Sequence, residues 1–282
     1  MVEFEQIAGS EAAAPMYRTV VSELDIENHS SFLFRPIKVL DLGGGTGTIG
    51  DVMKGQLEES FGPLSPAELV MLVDYVNIDE NLTALSKSPG RTVHTGISRA
   101  YHEVGAEDPF DFVLSVNAKP SIPAFTFNDA KRNNAPSEIV RLVGTSPKAI
   151  GETLARISLI STALVLQEGG KYIHLGFMEK GTLDGIVAYI RENGLGLRLE
   201  KDEKIELPDQ VRDMFVEVDT GKKPGSRSFE KVRATYKDYR LMVMRMKQAP
   251  DKQRLKGLLD EEVRNYRSWT SFCEVQDRFG SW

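Results

Sequence analysis

The sequence has little cysteine and no long apolar run. Cys273 is the single cysteine in 282 residues, which excludes an internal disulfide and a cysteine-based metal cluster. No apolar run approaches the roughly 20 residues that a membrane span needs. Residues 1–15 also lack the basic start and apolar core of a secretory signal. These absences predict a cytoplasmic protein that has no membrane partner.

The charge and composition are those of an ordinary soluble globular protein. Hydrophobic residues make up 41% of the chain and charged residues 27%, and the length suffices for one large core with appendages. The net charge of −6 argues against a protein that binds nucleic acid with its whole surface. It leaves local basic patches open.

The most informative stretch is IKVLDLGGGTGTIG, Ile37 to Gly50. Its apolar first half, with Asp41 near the end, predicts a strand that is buried on both faces. Helix-compatible sequence follows the turn, which consists of Gly43, Gly44, Gly45, Thr46 and Gly47. Glycines allow a ligand to approach the backbone closely, and the first amides of a helix are free to bind it. The stretch therefore predicts a ligand site.

A second buried strand is predicted at Leu69–Val73, ending at Asp74. A carboxylate at the carboxyl tip of the second strand is well placed to accept hydrogen bonds from a ribose diol. Asp79 competes for this role because it also precedes a short helix, where it would otherwise act as an N-cap. We predict Asp74 as the ribose ligand and keep Asp79 as the alternative.

Alternating strands and helices continue along the chain. Further strands are predicted around Thr92–Thr95 and at Pro109–Asn117, Lys171–Phe177, Leu197–Ile205 and Tyr239–Met244. This order predicts an α/β fold with a doubly wound, mostly parallel seven-stranded sheet and helices on both faces. The carboxyl ends of parallel strands share one edge, so Asp74, Ser98 and Asn117 are expected to converge on the glycine turn. His174 is either a base that faces this cleft or an ordinary strand residue.

Four segments surround or interrupt this domain of residues 37–247. Residues 1–36 contain an amphipathic stretch that predicts an N-terminal helical lid or cap. Within the domain, residues 119–147 form either a substrate lid or a disordered excursion, and residues 207–237 form a polar insertion. Residues 248–282 predict an amphipathic C-terminal helix, which packs on the domain or on a second subunit in a homodimer.

A local basic segment lies near the end of the domain. Residues 222–247 contain nine Lys or Arg against two acids, although the chain is acidic overall. Such a segment either meets a phosphate or an acidic substrate, or forms a solvated loop and edge strand.

The element order and the turn resemble those of class I S-adenosylmethionine-dependent methyltransferases. The first motif of that family, an apolar strand with an acid and then G-x-G-x-G, is matched by Asp41, Gly43, Gly45 and Gly47. The resemblance implies that S-adenosylmethionine is the cofactor and that the glycine turn contacts its methionine part. It also implies that the acid of the second strand binds the ribose, that Ile97 or Ser98 flanks the adenine, and that Asn117 lies near the sulfonium.

A nicotinamide or flavin enzyme is the main rival. Its fingerprint is G-x-G-x-x-G or A, and Thr48 occupies the third position here. An acid at Asp41 also suits a cationic cofactor better than a pyrophosphate. We therefore favour the methyltransferase, with no metal.

The acceptor is less defined. Asn117-Ala118-Lys119-Pro120 shares only its Asn and a displaced Pro with the N/D-P-P-Y/F motif of amino-methylating enzymes. Leu114-Ser115, the Gly-Gly pair before the fifth strand and residues 223–227 are similar to FtsJ-type ribose methyltransferases, but Val116 and Leu175 replace their catalytic Asp and second Lys. We predict a small-molecule acceptor methylated on O, N or C, with Asn117 and Lys119 as the catalytic-site residues that position it. An RNA methyltransferase and a non-catalytic cofactor-binding subunit are the alternatives.

Overall fold

The computed structural model of the chain describes residues 4–26, 35–95, 100–104, 109–117, 148–221, 224–234 and 236–279. The strands in these residues are β1 (Ile37–Leu42), β2 (Val73–Asp79), β3 (Arg91–His94), β4 (Phe110–Val116), β5 (Leu166–Phe177), β6 (Leu197–Lys204) and β7 (Tyr239–Met246). The helices in the same residues are α1 (Phe4–Ala8), α2 (Ala14–Leu24), α3 (Thr48–Phe61), α4 (Pro66–Leu72), α5 (Leu82–Leu85), α6 (Ala100–Val104), α7 (Lys148–Val165), α8 (Lys180–Glu192), α9 (Asp209–Thr220), α10 (Arg227–Arg233) and α11 (Lys252–Phe279).

All of these strands form one sheet in the order β3-β2-β1-β4-β5-β7-β6. The pairs from β3 to β5 are parallel, whereas β7 runs antiparallel between β5 and β6. The predicted doubly wound, mostly parallel sheet is confirmed. The strand order reverses between β1 and β4, and ligands of such sheets bind in the crevice at the carboxyl ends of the strands where the order reverses.

Helices cover both faces of the sheet, as predicted. One face packs against α1, α2, α3 and α9 in a core that includes Tyr17 and Phe215. The other face packs against α6, α7, α8 and α11 around Ile157 and Leu259. Because each helix buries an apolar stripe against the sheet, the polar ends of the strands are left for binding.

The predicted N-terminal helix is present as α2 and packs on the sheet. Its buried residues are Met16, Tyr17, Val20, Val21 and Leu24. The Lys171 Nζ on β5 donates a hydrogen bond of 2.7 Å to the carbonyl oxygen of Glu23. Lys201 on β6 pairs with the Glu23 carboxylate at 2.6 Å. These contacts tie the end of α2 to the sheet and fix the position of Tyr17.

The prediction of a strand at Leu69–Val73 is wrong. These residues up to Leu72 belong to α4, and β2 begins only at Val73. The Ser65 hydroxyl accepts from the Glu68 amide while the Glu68 carboxylate accepts from the Ser65 amide. This reciprocal capping box starts a helix at Pro66, three residues before Leu69, and the helix continues through the apolar run to Leu72. In consequence, Asp74 stands at the amino end of β2 and not at its carboxyl tip.

The insertion at residues 207–237 contains two helices that pack together. Val211 and Phe215 of α9 are buried on the sheet. On α10, Arg233 forms ion pairs with Asp209 at 2.9 Å and with Asp213. The insertion is therefore part of the core layer.

The predicted C-terminal amphipathic helix is α11. Its residues Leu255, Leu259 and Val263 are buried in the core beside α7. The first half of the helix thus packs on its own domain, and its use in a homodimer stays a prediction. Within the described ranges, no helix combines the length and the apolar character that crossing a membrane requires.

Candidate cofactor site

The glycine turn follows β1 and is held by the end of β2. The amides of Gly43 and Gly44 donate to the Ile78 carbonyl oxygen at 2.7 and 3.3 Å. The Gly45 amide donates to the Asp79 Oδ2 at 2.9 Å. The turn is therefore fixed to the carboxyl end of β2 before any ligand binds.

Gly44 stands where a side chain has no room. A Cβ built on it would lie 2.4 Å from the Asp41 Oδ2 and 2.6 Å from the Asn77 Oδ1. Gly45, with a φ of +54°, differs because its Cβ would meet nothing within 4 Å. One side of the turn thus packs on buried polar side chains, while the other faces open space from which a ligand can approach.

Asp41 is a buried carboxylic acid beneath this turn. It is 1% exposed, and its Oδ2 accepts a 2.6 Å hydrogen bond from the Tyr75 hydroxyl. Its Oδ1 has no hydrogen-bond partner among the described residues. Burial raises the pKa of Asp41 to about 7; the Tyr75 hydrogen bond lowers it and the nearby charge of Asp79 raises it. The site thus contains an acid that has no cationic partner within the described ranges.

Asp79, and not Asp74, lies beside the turn. Asp79 is the last residue of β2, and besides holding Gly45 its Oδ1 accepts from the Asn81 amide at 2.7 Å. Each carboxylate oxygen can accept a further hydrogen bond. Asn81 takes the N-cap role that the sequence had offered to Asp79, because its side chain caps α5 through the Ala84 amide.

Asp74 lines a different feature. It pairs in register with Lys38 near the start of β1 and borders a cavity of about 580 Å³ between α3, α4 and the first half of β2. The apolar lining of this cavity includes Met53, Leu69 and Tyr75. Asp74 and the turn lie at opposite ends of β2, so the predicted position of Asp74 at the carboxyl tip is wrong, and the alternative Asp79 occupies that tip.

Two residues of β2 that sequence reasoning missed support the turn. Asn77 is fully buried, and its Nδ2 donates to the Gly45 carbonyl oxygen at 2.9 Å and to the Ser88 Oγ at 2.8 Å. Tyr75 holds Asp41. Both alternate with apolar residues along β2, so polar groups inside a buried strand were the available signal.

Asn117 follows β4 at the same edge of the sheet. Its φ of +52° is left-handed, a conformation that Asn adopts more readily than other non-glycine residues. Its amide donates to the Leu175 carbonyl oxygen, and its Oδ1 accepts a 2.8 Å hydrogen bond from the Tyr239 hydroxyl. Its Nδ2 is buried and has no partner in the described part of the chain.

Tyr17 connects Asn117 with the turn. Burial raises the pKa of Tyr17 to about 12, while the adjacent Asn117 side chain lowers it and the charge of Asp41 raises it. Burial also raises the pKa of Tyr239, which is close enough to Tyr17 for their charges to interact. The structure therefore brings together Asp41, the glycines, Asp79 and Asn117, and adds two neutral phenols that the sequence did not indicate.

Other predicted site residues lie outside the described residues. They are Ile97, Ser98 and Lys119, together with the segment 119–147. His174 lies on the opposite face of the sheet from Tyr17 and contacts the Ser115 hydroxyl at 3.4 Å. Burial lowers the pKa of His174 to about 4, so the imidazole is neutral at pH 7. In the described ranges, no three His, Cys, Asp or Glu side chains cluster as metal ligands would.

The basic segment at residues 222–247 is largely neutralised where it is described. Arg240 pairs with Asp202 at 2.7 Å, and both Arg245 and Lys247 pair with Glu200. These acids come from β6, which neighbours β7 in the sheet. A phosphate backbone would have to compete with these carboxylates for the cations.

Several solved structures with a similar fold are described as methyltransferases. The 1,6-didemethyltoxoflavin-N1-methyltransferase of Burkholderia thailandensis, with bound S-adenosylhomocysteine, is 14% identical over 84% of this chain and 80% of its own (TM-score 0.43). A putative class I enzyme from Listeria monocytogenes is 14% identical over 91% and 71% (TM-score 0.47). Magnesium protoporphyrin IX methyltransferase from Synechocystis, with bound S-adenosylmethionine, is 10% identical over 87% and 85% (TM-score 0.44).

Sequence comparison adds nothing to these similarities, because no protein-family profile and no curated protein sequence matches the chain. At these identities the similarity concerns the fold alone. Two of the structures named above are methyltransferases with bound S-adenosylhomocysteine or S-adenosylmethionine, and the third is described as a putative class I S-adenosylmethionine-dependent methyltransferase, the family that the glycine turn of this chain resembles.

Proposed function

We propose that the protein is an S-adenosylmethionine-dependent methyltransferase that acts on a small molecule. The observation that carries the proposal is the pairing of two acids with the glycine turn: Asp79 holds the Gly45 amide, and the buried Asp41 keeps one oxygen free. The turn exposes its open side at the same edge of the sheet.

The residues at the turn fit this cofactor. Asp79, at the tip of β2, has acceptor capacity left for the two hydroxyls of a ribose. Neither Asp41 nor Asp79 forms an ion pair with a described Lys or Arg, so the site carries uncompensated negative charge. A sulfonium and an α-ammonium would be attracted there, whereas the pyrophosphate of a dinucleotide would be repelled.

The chain supplies positioning more than acid–base chemistry. S-adenosylmethionine would contribute an electrophilic methyl group, so an acceptor atom held in line with it needs little further activation. The methyl group would pass from the sulfur to the acceptor O, N or C, S-adenosylhomocysteine would be left as the product, and the proton of the acceptor would pass to water. We assign the orientation of the acceptor to Asn117, and Lys119 remains the second candidate from the sequence.

A small-molecule acceptor is favoured over RNA. The cations Arg240, Arg245 and Lys247, on which an RNA reading depends, are paired with acids of the same chain. The toxoflavin and protoporphyrin enzymes named above are also named for small-molecule acceptors. No described feature favours an RNA methyltransferase independently.

Calorimetry tests the cofactor assignment directly. The protein is titrated with S-adenosylmethionine and S-adenosylhomocysteine, with NAD⁺ and ATP as controls for generic nucleotide binding. We expect saturable binding of the first two ligands alone. If neither binds, or if NAD⁺ binds more tightly, the proposal fails.

Turnover then separates an enzyme from a non-catalytic subunit. The protein is incubated with methyl-labelled cofactor and separate pools of cellular metabolites, RNA and protein. We expect label to be transferred to the metabolite pool. Transfer to RNA alone would favour the ribose methyltransferase, and cofactor binding without transfer to any pool would favour the subunit.

A further inference from the structure

We propose that the methyl acceptor is a neutral, planar aromatic molecule that carries a lone-pair atom. It would be bound between the amide of Asn117 and an aromatic wall formed by Phe177 and Tyr236. The inference rests on the proposed function, because that function assigns the glycine turn to the cofactor and leaves the rest of the same sheet edge to the acceptor.

Three chain positions build that remaining half of the edge. Asn117 follows β4, Phe177 ends β5, and Tyr239 begins β7. Phe177 and Tyr239 are register partners, so their side chains lie on one face of the sheet. This is also the face that α2 covers with Tyr17. The acceptor half is thus lined by aromatic rings and one amide.

The side-chain amide of Asn117 is held through its oxygen, and its nitrogen has no hydrogen-bond partner among the described residues. The Tyr239 hydroxyl donates to the Asn117 Oδ1, which fixes the side chain and leaves Nδ2 as the unused group. A buried donor without a partner is unfavourable in the free protein, and a ligand that accepts its hydrogen bond removes that cost. Asn117 therefore selects an acceptor with a lone pair, such as a carbonyl, a ring nitrogen or a phenol oxygen.

The aromatic wall is rigid and partly accessible. The ring centroid of Phe177 lies 4.2 Å from that of Tyr236, 4.9 Å from that of Tyr239 and 5.3 Å from that of Phe215, with steep interplanar angles. Phe215 and Tyr239 are buried behind the wall, while Phe177 and Tyr236 are only partly buried. Braced rings of this kind offer faces and edges to another ring, and they lose little conformational entropy when it binds.

Phe177 and the two phenols beside Asn117 are also uncharged. Phe177 carries no polar group, and the hydroxyls of Tyr17 and Tyr239 stay protonated at pH 7 because burial raises the pKa of each phenol. An ionic acceptor would have to lose its hydration here without gaining a counter-charge from these side chains. A neutral ring gains the aromatic contacts without that penalty.

Matched pairs of probe molecules test the acceptor class. Protein saturated with S-adenosylhomocysteine is mixed with benzamide, catechol or salicylamide, and separately with their neutral ring-saturated counterparts cyclohexanecarboxamide, cyclohexane-1,2-diol and 2-hydroxycyclohexanecarboxamide. Thermal unfolding reports binding, and a library of neutral aromatic metabolites extends the set. We expect aromatic members to raise the unfolding midpoint and their saturated counterparts to leave it unchanged.

Variants locate the binding on the proposed wall. Phe177→Leu should weaken the binding of the best aromatic probe about tenfold, the scale of one lost specific contact. Tyr236→Leu removes the other ring of the wall and gives the same readout if Phe177→Leu folds poorly. Phe61→Leu is the control, because Phe61 is an exposed ring at the end of α3. The control should bind the probe as wild type does.

Tyr239→Phe separates positioning from structure. It keeps the ring and removes only the hydroxyl that orients Asn117. We expect weaker binding of probes with a lone-pair atom, no change for benzene, and no further loss when Asn117→Ala is added. A uniform loss for all probes would assign Tyr239 a structural role alone.

The outcomes distinguish the two proposals. Normal affinity for S-adenosylhomocysteine together with equal or absent responses to aromatic and saturated probes overturns the inference and leaves the proposed function intact. Lack of S-adenosylhomocysteine binding overturns the proposed function, and the acceptor inference with it.

Discussion

Replacing Asp41 by Asn should stabilise the free protein, and the gain should grow with pH. Burial raises the pKa of the Asp41 carboxyl from 3.8 to about 7. In the unfolded chain this group ionises above its ordinary pKa, whereas the folded protein keeps the proton until about pH 7. The folded state is therefore penalised progressively as the pH rises through that interval, and Asn removes the penalty.

The magnitude follows from the size of the shift. About three pKa units at about 1.4 kcal/mol each amount to about 4 kcal/mol in full above pH 8. Near pH 4, where the carboxyl is largely protonated in the folded protein, the penalty is under about 1 kcal/mol. Any pH-independent effect of the substitution on packing, including on the contact with Tyr75, changes the free energy of unfolding equally at both pH values. The increase between the two pH values is thus the quantity to compare.

Equilibrium urea unfolding of wild type and Asp41→Asn at a series of pH values provides that comparison. Asp74→Asn removes a carboxylate from the amino end of β2, away from the turn, and serves as the matched control. We expect the gap between Asp41→Asn and wild type to widen by about 3–4 kcal/mol between about pH 4 and about pH 8. A gap that is constant across this range would refute the assignment of an unpaired buried carboxyl.

Three further predictions concern the same site. Asp79→Ala should weaken S-adenosylhomocysteine binding by about 1–3 kcal/mol while Asp74→Ala does not, and the reverse result in calorimetry would return the ribose role to Asp74. Gly44→Ala should lower both stability and cofactor affinity, because the new Cβ would clash with Asp41 and Asn77. The control Gly55→Ala places its Cβ in open space on α3, and it should be neutral or slightly stabilising in thermal unfolding. Binding of S-adenosylmethionine near pH 6 should release up to about one proton from Asp41, measured by calorimetry in buffers of different ionisation enthalpy; equal release by Asp41→Asn would contradict this source.

The fold was predictable because its signals are local. The run before the glycines contains a buried strand that ends beside a sharp turn, and β1 and α3 occur where the sequence predicts them. Alternation of strands and helices is enough to infer a parallel sheet. An antiparallel β7 is compatible with the predicted mostly parallel sheet. Its position between β5 and β6 could be learned only from the structure.

The second strand shows why an apolar run alone misled. Leu69, Val70 and Met71 have strand-like composition, yet α4 buries none of its residues and leaves Val70 and Met71 largely exposed. The Ser-x-x-Glu signature of a capping box at Ser65 was present in the sequence and outweighs hydrophobicity in so short a run. That error led to the prediction of Asp74 as the ribose ligand, although Asp79 is the acid at the carboxyl tip of β2.

The acceptor half could not be read from the sequence for a different reason. Asn117 was predicted from its place after β4, but the residue that orients it, Tyr239, is 122 positions away along the chain. Tyr17 also lies beside Asn117, although it belongs to α2 and precedes β1 in the chain. Such contacts depend on the strand order and on the packing of α2, and no local periodicity encodes either.

Two buried acids on adjacent strands differ in the partners that the described residues give them. Asp111, at the start of β4, is fully buried but satisfied: Arg35 donates to both of its oxygens at 2.7 and 2.8 Å, and the Lys38 amide and Gln167 complete its shell. Asp41, at the other end of β1, is equally buried, but among the described residues it has one hydrogen bond and its second oxygen has no partner. No described cation pairs with this acid, so its charge is left to be matched by a ligand. The contrast supports a cationic cofactor at the carboxyl edge independently of the glycine motif.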